Sequence, residues 1–279
     1  MFPVLFSIGT ITVYTFSIFL ILAWVVFSFS FWRHLKDQGI AEDYIFDMMF
    51  YGTIAAFVGG RVGFVMMYPE LFVSWKWIRA FTIWIQPGFI LYGALIPALC
   101  VFLYAGYRHR IKISIILDAF AKGVGSSLFF GFLGAMFGGS VVGTLTNFPL
   151  AVTFVGQAGK RHPVGLYEVL GLIGIMGIFF LVQKIFKKSF GANGMYALWF
   201  FLLFSIGEFC LEFLKESRVY WGGLHLNQWI LIMVFAECVG VLLVWGGGKE
   251  GIGRGYRWVV QSSKKIGGVI YAKFSKRNS

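Results

Sequence analysis

The chain has 279 residues and a formal net charge of +12, yet only 13% of its residues are charged and 58% are apolar. A soluble domain carries about 45–50% apolar and about 25% charged residues. This composition excludes a water-soluble fold, because a chain of this size has too little interior to hide so much apolar surface.

Spanning a bilayer takes about 20 consecutive, mostly apolar residues per helix. Seven stretches qualify, at roughly 4–32, 44–68, 82–106, 114–144, 164–186, 194–214 and 226–246. The expected fold is therefore all-α, a polytopic transmembrane helical bundle of about seven spans. The first stretch lacks a basic leader and is too long for the apolar core of a signal peptide, about 7–15 residues, so it reads as a retained span. The fourth stretch is too long for one straight span and reads as tilted or broken. Its Gly123, Ser127, Gly131, Ala135, Gly139 and Gly143 recur every fourth position, a spacing that lets helices approach closely. Gly138 next to Gly139 is a point where that helix loosens.

The basic residues alternate between the two sets of connections. Arg33, Lys36, Arg108, Arg110, Lys112, Lys184, Lys187, Lys188 and the eight cations of the tail fall on one side; Lys76, Arg79, Lys160, Arg161, Lys215 and Arg218 fall on the other. The positive-inside rule assigns the first set to the cytoplasm, which puts the amino terminus outside and the carboxy terminus inside. The expected division is a seven-helix transmembrane domain, 1–248, and a basic cytoplasmic tail, 249–279, lying on anionic lipid. Nucleic-acid binding is not expected. Cys100, Cys210 and Cys238 each sit in an apolar run with no metal-ligand spacing, and read as packing residues.

Ionisable side chains inside spans are costly and mark candidate sites. They are Asp47, Arg61, Asp118 with Lys122, Glu168, Glu208, Glu212 and Glu237. Asp118 and Lys122, four apart on one helix, are expected to neutralise each other. Two clusters stand out. Gly59-Gly60-Arg61-Val62-Gly63-Phe64 offers an approachable backbone and a fixed cation suited to a phosphate. Arg161-His162-Pro163-Val164-Gly165-Leu166-Tyr167-Glu168 combines an anion binder, an acid/base group and an intramembrane carboxylate. Pro163 is placed to begin the fifth span. The bland alternatives are a snorkelling arginine and a helix entry with Glu168 tied to an arginine of a neighbouring span.

At these residues the sequence resembles the bacterial prolipoprotein diacylglyceryl transferases. Arg161 to Glu168 reproduces the family's Arg-His-Pro-x-x-Leu-Tyr-Glu string. Gly59 to Tyr68, Asn147-Phe148-Pro149 with Phe154, and Gly194 to Leu214 followed by Lys215 are similar to other family segments. The resemblance implies transfer of diacylglyceryl from phosphatidylglycerol to the lipobox cysteine of an exported prolipoprotein, in the bacterial inner membrane and without metal or bound cofactor. A cation must hold the phosphate, and a base must make the thiolate. On this resemblance Arg61, Arg161, Tyr167 and Glu208 are candidate substrate-binding residues, and His162, Glu168 and Tyr92 candidate catalytic ones. Phosphatidylglycerol, or another anionic phospholipid, and the prolipoprotein are the expected partners.

The chain departs from the family pattern at several points. Met136 stands where the fourth-span signature has arginine, Gly139 and Val142 where it has asparagines, and Thr144 where it has glutamate. Tyr92-Gly93-Ala94 replaces a His-Gly-Gly, Glu208 replaces an arginine, and Phe204 a tyrosine. The alternative to a transferase is accordingly a catalytically inactive or repurposed member that binds lipid or an exported partner. Glu208 is expected to pair with Arg61 or Arg161. A channel or carrier would need a polar path across the whole bilayer, with Asp47, Asp118, Lys122 and Glu237 as its inner and middle groups.

Overall fold

The structure is a computed structural model that describes residues 2–8, 11–72, 80–82, 88–186, 194–216 and 220–245. The basic tail, and with it Lys76, Arg79, Lys187, Lys188 and Arg218, lies outside the described residues. Seven helices within them are long and apolar enough to cross a membrane. They are α1 (Thr15–Asp37), α2 (Glu42–Met67), α3 (Leu91–Arg108), α4 (Ile113–Gly138), α5 (Val164–Phe186), α6 (Met195–Glu212) and α7 (Leu226–Trp245). The chain is a multi-pass membrane protein. Apolar side chains facing outward, such as Phe29, Phe50, Phe57 and Phe180, are exposed on the isolated chain and find lipid in a bilayer.

The first stretch is not helical throughout. Before the helix, β1 (Val4–Ile8) and β2 (Ile11–Tyr14) pair antiparallel, with Phe6 opposite Val13 and Ser7 opposite Thr12. The run Ile11-Thr12-Val13-Tyr14 is β-branched and aromatic, a composition that favours strand over helix. Phe2 N donates to Phe137 O at 2.9 Å, which ties this strand pair to the end of α4. The third stretch also begins later than its apolar run, at Leu91.

The fourth stretch breaks where the paired glycines stand. Gly139 takes φ +69°, the left-handed conformation that ends α4. Residues 140–146 then leave the helix and turn across the end of the bundle. The small residues of α4 divide between two neighbours. Gly123 and Gly134 admit Phe27 and Phe19 of α1, whereas Gly125 faces Phe200 of α6. Gly131 meets nothing within 4 Å, so the every-fourth stripe is not one contact seam. Between α2 and α3 the backbones nearly touch: a Cβ on Gly59 would lie 2.4 Å from Gly93 O.

At the end of the bundle where α4 and α6 begin, Asp118 and Lys122 feel each other's charge, as expected, but make no direct ion pair. The Asp118 carboxylate accepts from Gly194 N at 3.0 Å and Ala197 N at 2.8 Å, capping the first turn of α6 from another helix. Lys122 Nζ instead meets His34 Nδ1 at 2.9 Å, and stacks over Tyr196. Cys238 is buried as expected, while Cys100 and Cys210 are exposed on the helical surface.

Candidate functional site

The opposite end of the bundle collects most of the singled-out residues. Three segments that leave helices meet there in short bridges: 142–146 after α4, 160–162 before α5, and 214–216 after α6. Thr144 N donates to Leu214 O at 2.8 Å, Glu216 N to Val142 O at 2.8 Å, and His162 N to Thr144 O at 3.1 Å. A Cβ on Gly143 would lie 2.2 Å from His162 O, so only glycine fits this crossing. This framework fixes the positions of Arg161, His162 and Lys215.

Lys215 is the centre of the site. Its Nζ lies 2.6 Å from Glu168 Oε1, 2.9 Å from Glu212 Oε2 and 3.3 Å from Glu208 Oε2. The lysine side chain is 15% exposed, and the three carboxylates are 2–7% exposed. Burial alone would depress the ammonium's pKa. The attraction of Glu168, Glu208 and Glu212, with the hydrogen bond to Glu168, outweighs it and raises that pKa above the ordinary lysine value. Asn227 Nδ2 donates to Glu212 Oε1 at 3.0 Å, and His225 Nδ1 lies 3.4 Å from the same oxygen. His225 N in turn donates to Gln228 Oε1 at 2.9 Å, half of a capping box that starts α7. Glu168 Oε2 is buried with no hydrogen-bond partner.

Two openings reach this cluster. One is a cavity of about 400 Å³ lined by Phe64, Tyr68, Glu70, Ser140, Glu212, Lys215, Glu216 and Asn227 among others. The other is an apolar crevice of about 210 Å³ between α5 and α6, with Glu168 and Glu208 in its wall beside Leu172, Ile175, Leu203 and Phe204. Lys215 lines the first and holds by its ammonium both carboxylates that line the second.

The two arginines stand beside the cluster and do not join it. Arg161 is 7% exposed. Its Nη1 donates to Gly143 O at 3.0 Å and to Glu216 Oε2 at 2.5 Å, and its Nη2 to Gln157 at 3.4 Å. Arg61 donates from Nε to Ala80 O at 2.7 Å and from Nη1 to Gly88 O at 3.1 Å, and lies over the rings of Phe64 and Phe72. The expected pairing of Glu208 with Arg61 or Arg161 is therefore replaced by pairing with Lys215, and Glu168 is held by that lysine and not by an arginine. Tyr92, in the first turn of α3, feels the charges of Glu208, Lys215, Glu212 and Glu168. His162 Nδ1 lies 3.3 Å from the Tyr167 hydroxyl, and its ring is near Phe148; this pair is separate from the carboxylates.

Lys215 and Glu212 were the groups that reading the spans one at a time undervalued. Glu208, Glu212 and Lys215 recur at i, i+4 and i+7, the spacing of one helical face. That spacing is the signal that would have found them. Among the described residues no group of three or more His, Cys, Asp or Glu side chains is arranged to hold a metal ion.

With this geometry in place, the family comparison decides the lineage. The family model described as prolipoprotein diacylglyceryl transferase matches residues 3–245, nearly the whole chain. The chain belongs to the prolipoprotein diacylglyceryl transferase family. Relatives named phosphatidylglycerol–prolipoprotein diacylglyceryl transferase match most of its length. One from Wolbachia sp. subsp. Drosophila simulans (strain wRi) is 30% identical over 233 residues, covering 81% of this chain and 86% of that one. One from Bordetella parapertussis is 29% identical over 203 residues, covering 71% and 76%. One from Aeromonas hydrophila subsp. hydrophila is 24% identical over 255 residues, covering 87% and 89%. The octapeptide Arg161–Glu168 thus sits in a family scaffold, with Glu168 held by a lysine three residues past the end of α6.

Proposed function

We propose that this chain is a phosphatidylglycerol–prolipoprotein diacylglyceryl transferase of the bacterial inner membrane, with the Lys215 end of the bundle facing outward and the basic tail in the cytoplasm. The family match over residues 3–245 supports the reaction class. The single structural observation that carries the reading is Lys215, a partly buried cation on the wall of a polar cavity large enough for a lipid headgroup.

The reaction moves the glyceryl carbon of the lipid from phosphate oxygen to cysteine sulfur. Negative charge grows on the phosphate as it leaves, and a cation preorganised in a dry site stabilises it far more than water does. Lys215 supplies that charge from the cavity wall. Arg161 stands next to it, and its partner Glu216 is 55% exposed, so a phosphate entering the cavity can displace that carboxylate from the guanidinium. Arg61 stiffens the opposite wall through Phe64, holding the loops at Ala80 and Gly88 in place. Tyr92 and the His162–Tyr167 pair flank the site and support its walls without lining either opening.

One observation favours a second reading, a family member that binds lipid or an exported partner without transfer. Three carboxylates already surround Lys215, so a phosphate must compete with them for the ammonium. The deciding experiment is rescue of a bacterium depleted of its own transferase. Growth restored by the wild-type chain, and lost with Lys215→Met, is expected for the enzyme. Failure of the wild-type chain, inserted at normal abundance, supports the binding protein.

A further inference from the structure

The geometry points to Glu168 Oε2 as the acceptor of the cysteine proton, reached by the thiol through the apolar crevice between α5 and α6. This inference rests on the transferase reading. It adds a route and a base, which that reading leaves open.

Three observations carry it. Glu168 is 3% exposed, and its two oxygens are not equivalent: Oε1 is fixed by Lys215, while Oε2 is buried without a partner. A buried polar oxygen left unpaired is costly, and such groups in folded proteins call for an explanation. The same residue lines a crevice whose other walls are Leu172, Ile175, Leu203 and Phe204. That lining suits a cysteine carried on an apolar stretch of peptide and repels a phosphate. Finally, the crevice and the polar cavity are two separate openings that share Lys215, since the lysine lines one and binds the carboxylates of the other. Displacement at carbon needs the nucleophile and the leaving group on opposite sides.

The alternatives at this end are less suited. Tyr92 is a phenol, a poor base near neutral pH. The imidazole of His162 is bonded to Tyr167, and it lines neither opening. Glu208 shares the crevice wall and, through Lys215, positions Glu168.

The step balances as follows. The S–H proton passes to Glu168 Oε2, and the sulfur electron pair forms the S–C bond to the glyceryl carbon. The C–O bond to phosphate breaks, and its pair departs with glycerol phosphate. The proton is then released from the carboxyl group to the leaving phosphate or to water.

The test uses the full chain in lipid nanodiscs containing phosphatidylglycerol, and a peptide with an apolar segment ending in a lipobox cysteine. Glu168→Gln should lower transfer at pH 7 by roughly 10²–10⁴-fold, the usual effect of removing a positioned base. Its residual rate should rise about tenfold per pH unit toward the thiol's own pKa of about 8.5, a dependence the wild type lacks. Glu168→Asp should recover part of the loss. Gly171→Leu, which adds bulk where a Cβ meets nothing within 4 Å, should raise KM for the peptide far more than for the lipid. A second readout does not need transfer. Iodoacetamide should alkylate the bound peptide faster than the free peptide at pH 7, and Glu168→Gln should abolish that difference.

If wild type transfers and Glu168→Gln keeps its rate and pH profile, the inference is wrong and the transferase reading stands. If wild type does not transfer but speeds alkylation through Glu168, Glu168 is the proton acceptor and it is the transferase reading that falls. If wild type fails to accelerate alkylation at all, the inference is overturned.

Discussion

Replacing Lys215 by methionine keeps an unbranched side chain one atom shorter and removes the charge that three buried carboxylates share. Each contact is short, at 2.6, 2.9 and 3.3 Å, and the carboxylates are 2–7% exposed. Breaking a buried ion pair by removing one partner costs about 3–5 kcal/mol, because the other charge is left uncompensated. With three partners stranded, Lys215→Met should lose at least that range, about 3 kcal/mol or more. Unfolding in mixed detergent micelles, followed by tryptophan fluorescence, measures it. A double-mutant cycle with Glu208→Gln should give a coupling of about 0.5–3 kcal/mol, the range for residues in one network. Converting Lys215, Glu168 and Glu208 together to methionine should restore much of the stability, since a buried ion network exchanged for apolar side chains is often neutral or better. A loss below about 1 kcal/mol for Lys215→Met, with no coupling to Glu208, would refute the cluster as the organising feature of this end of the bundle.

The folded-state pKa of Lys215 is raised, so its contribution is fully present below the unfolded lysine value of about 10.4 and is lost only as pH climbs past the folded one. The stability difference between wild type and Lys215→Met should therefore not shrink from pH 7 to 10, and should grow wherever the stranded carboxylates lose their protons in the mutant; a difference that shrinks by pH 9 contradicts the assignment. Asp118→Ala should destabilise by about 1–3 kcal/mol for each backbone N–H it leaves buried and unpaired, at Gly194 and Ala197, without changing the substrate KM. Gly59→Leu should prevent α2 and α3 from closing, since even its Cβ would meet Gly93 O at 2.4 Å, and should cost about 1–3 kcal/mol or more by overpacking. A green fluorescent protein fused after the basic tail should fluoresce, reporting a cytoplasmic carboxy terminus; a dark fusion at normal expression reverses the orientation.

How much of this was legible in the sequence follows from the range of each interaction. Spans were readable because the bilayer imposes length and polarity on each helix separately, and α2, α5, α6 and α7 begin and end close to their apolar runs. The amino-terminal strand pair was misread because hydropathy does not separate strand from helix in an apolar run, although Ile11–Tyr14 has strand composition. The paired glycines did mark the end of α4. What could not be read was who meets whom. Asp118 reaches a helix start 76 and 79 residues away, and so leaves Lys122 to His34. Lys215 was counted with the loop charges, because its Glu168 partner is brought by a different helix and only the crossing at Gly143 aligns them. Arg161 and Arg61 kept their positions but find their partners in Glu216 and in backbone carbonyls, which no local pattern announces.

The most direct test is mass spectrometry of a lipobox peptide incubated with the purified full chain and phosphatidylglycerol. The account predicts a diacylglyceryl mass gain on the cysteine, with equimolar release of glycerol phosphate, and loss of both with Lys215→Met. An unmodified peptide in the presence of folded, lipid-bound wild-type protein would contradict it.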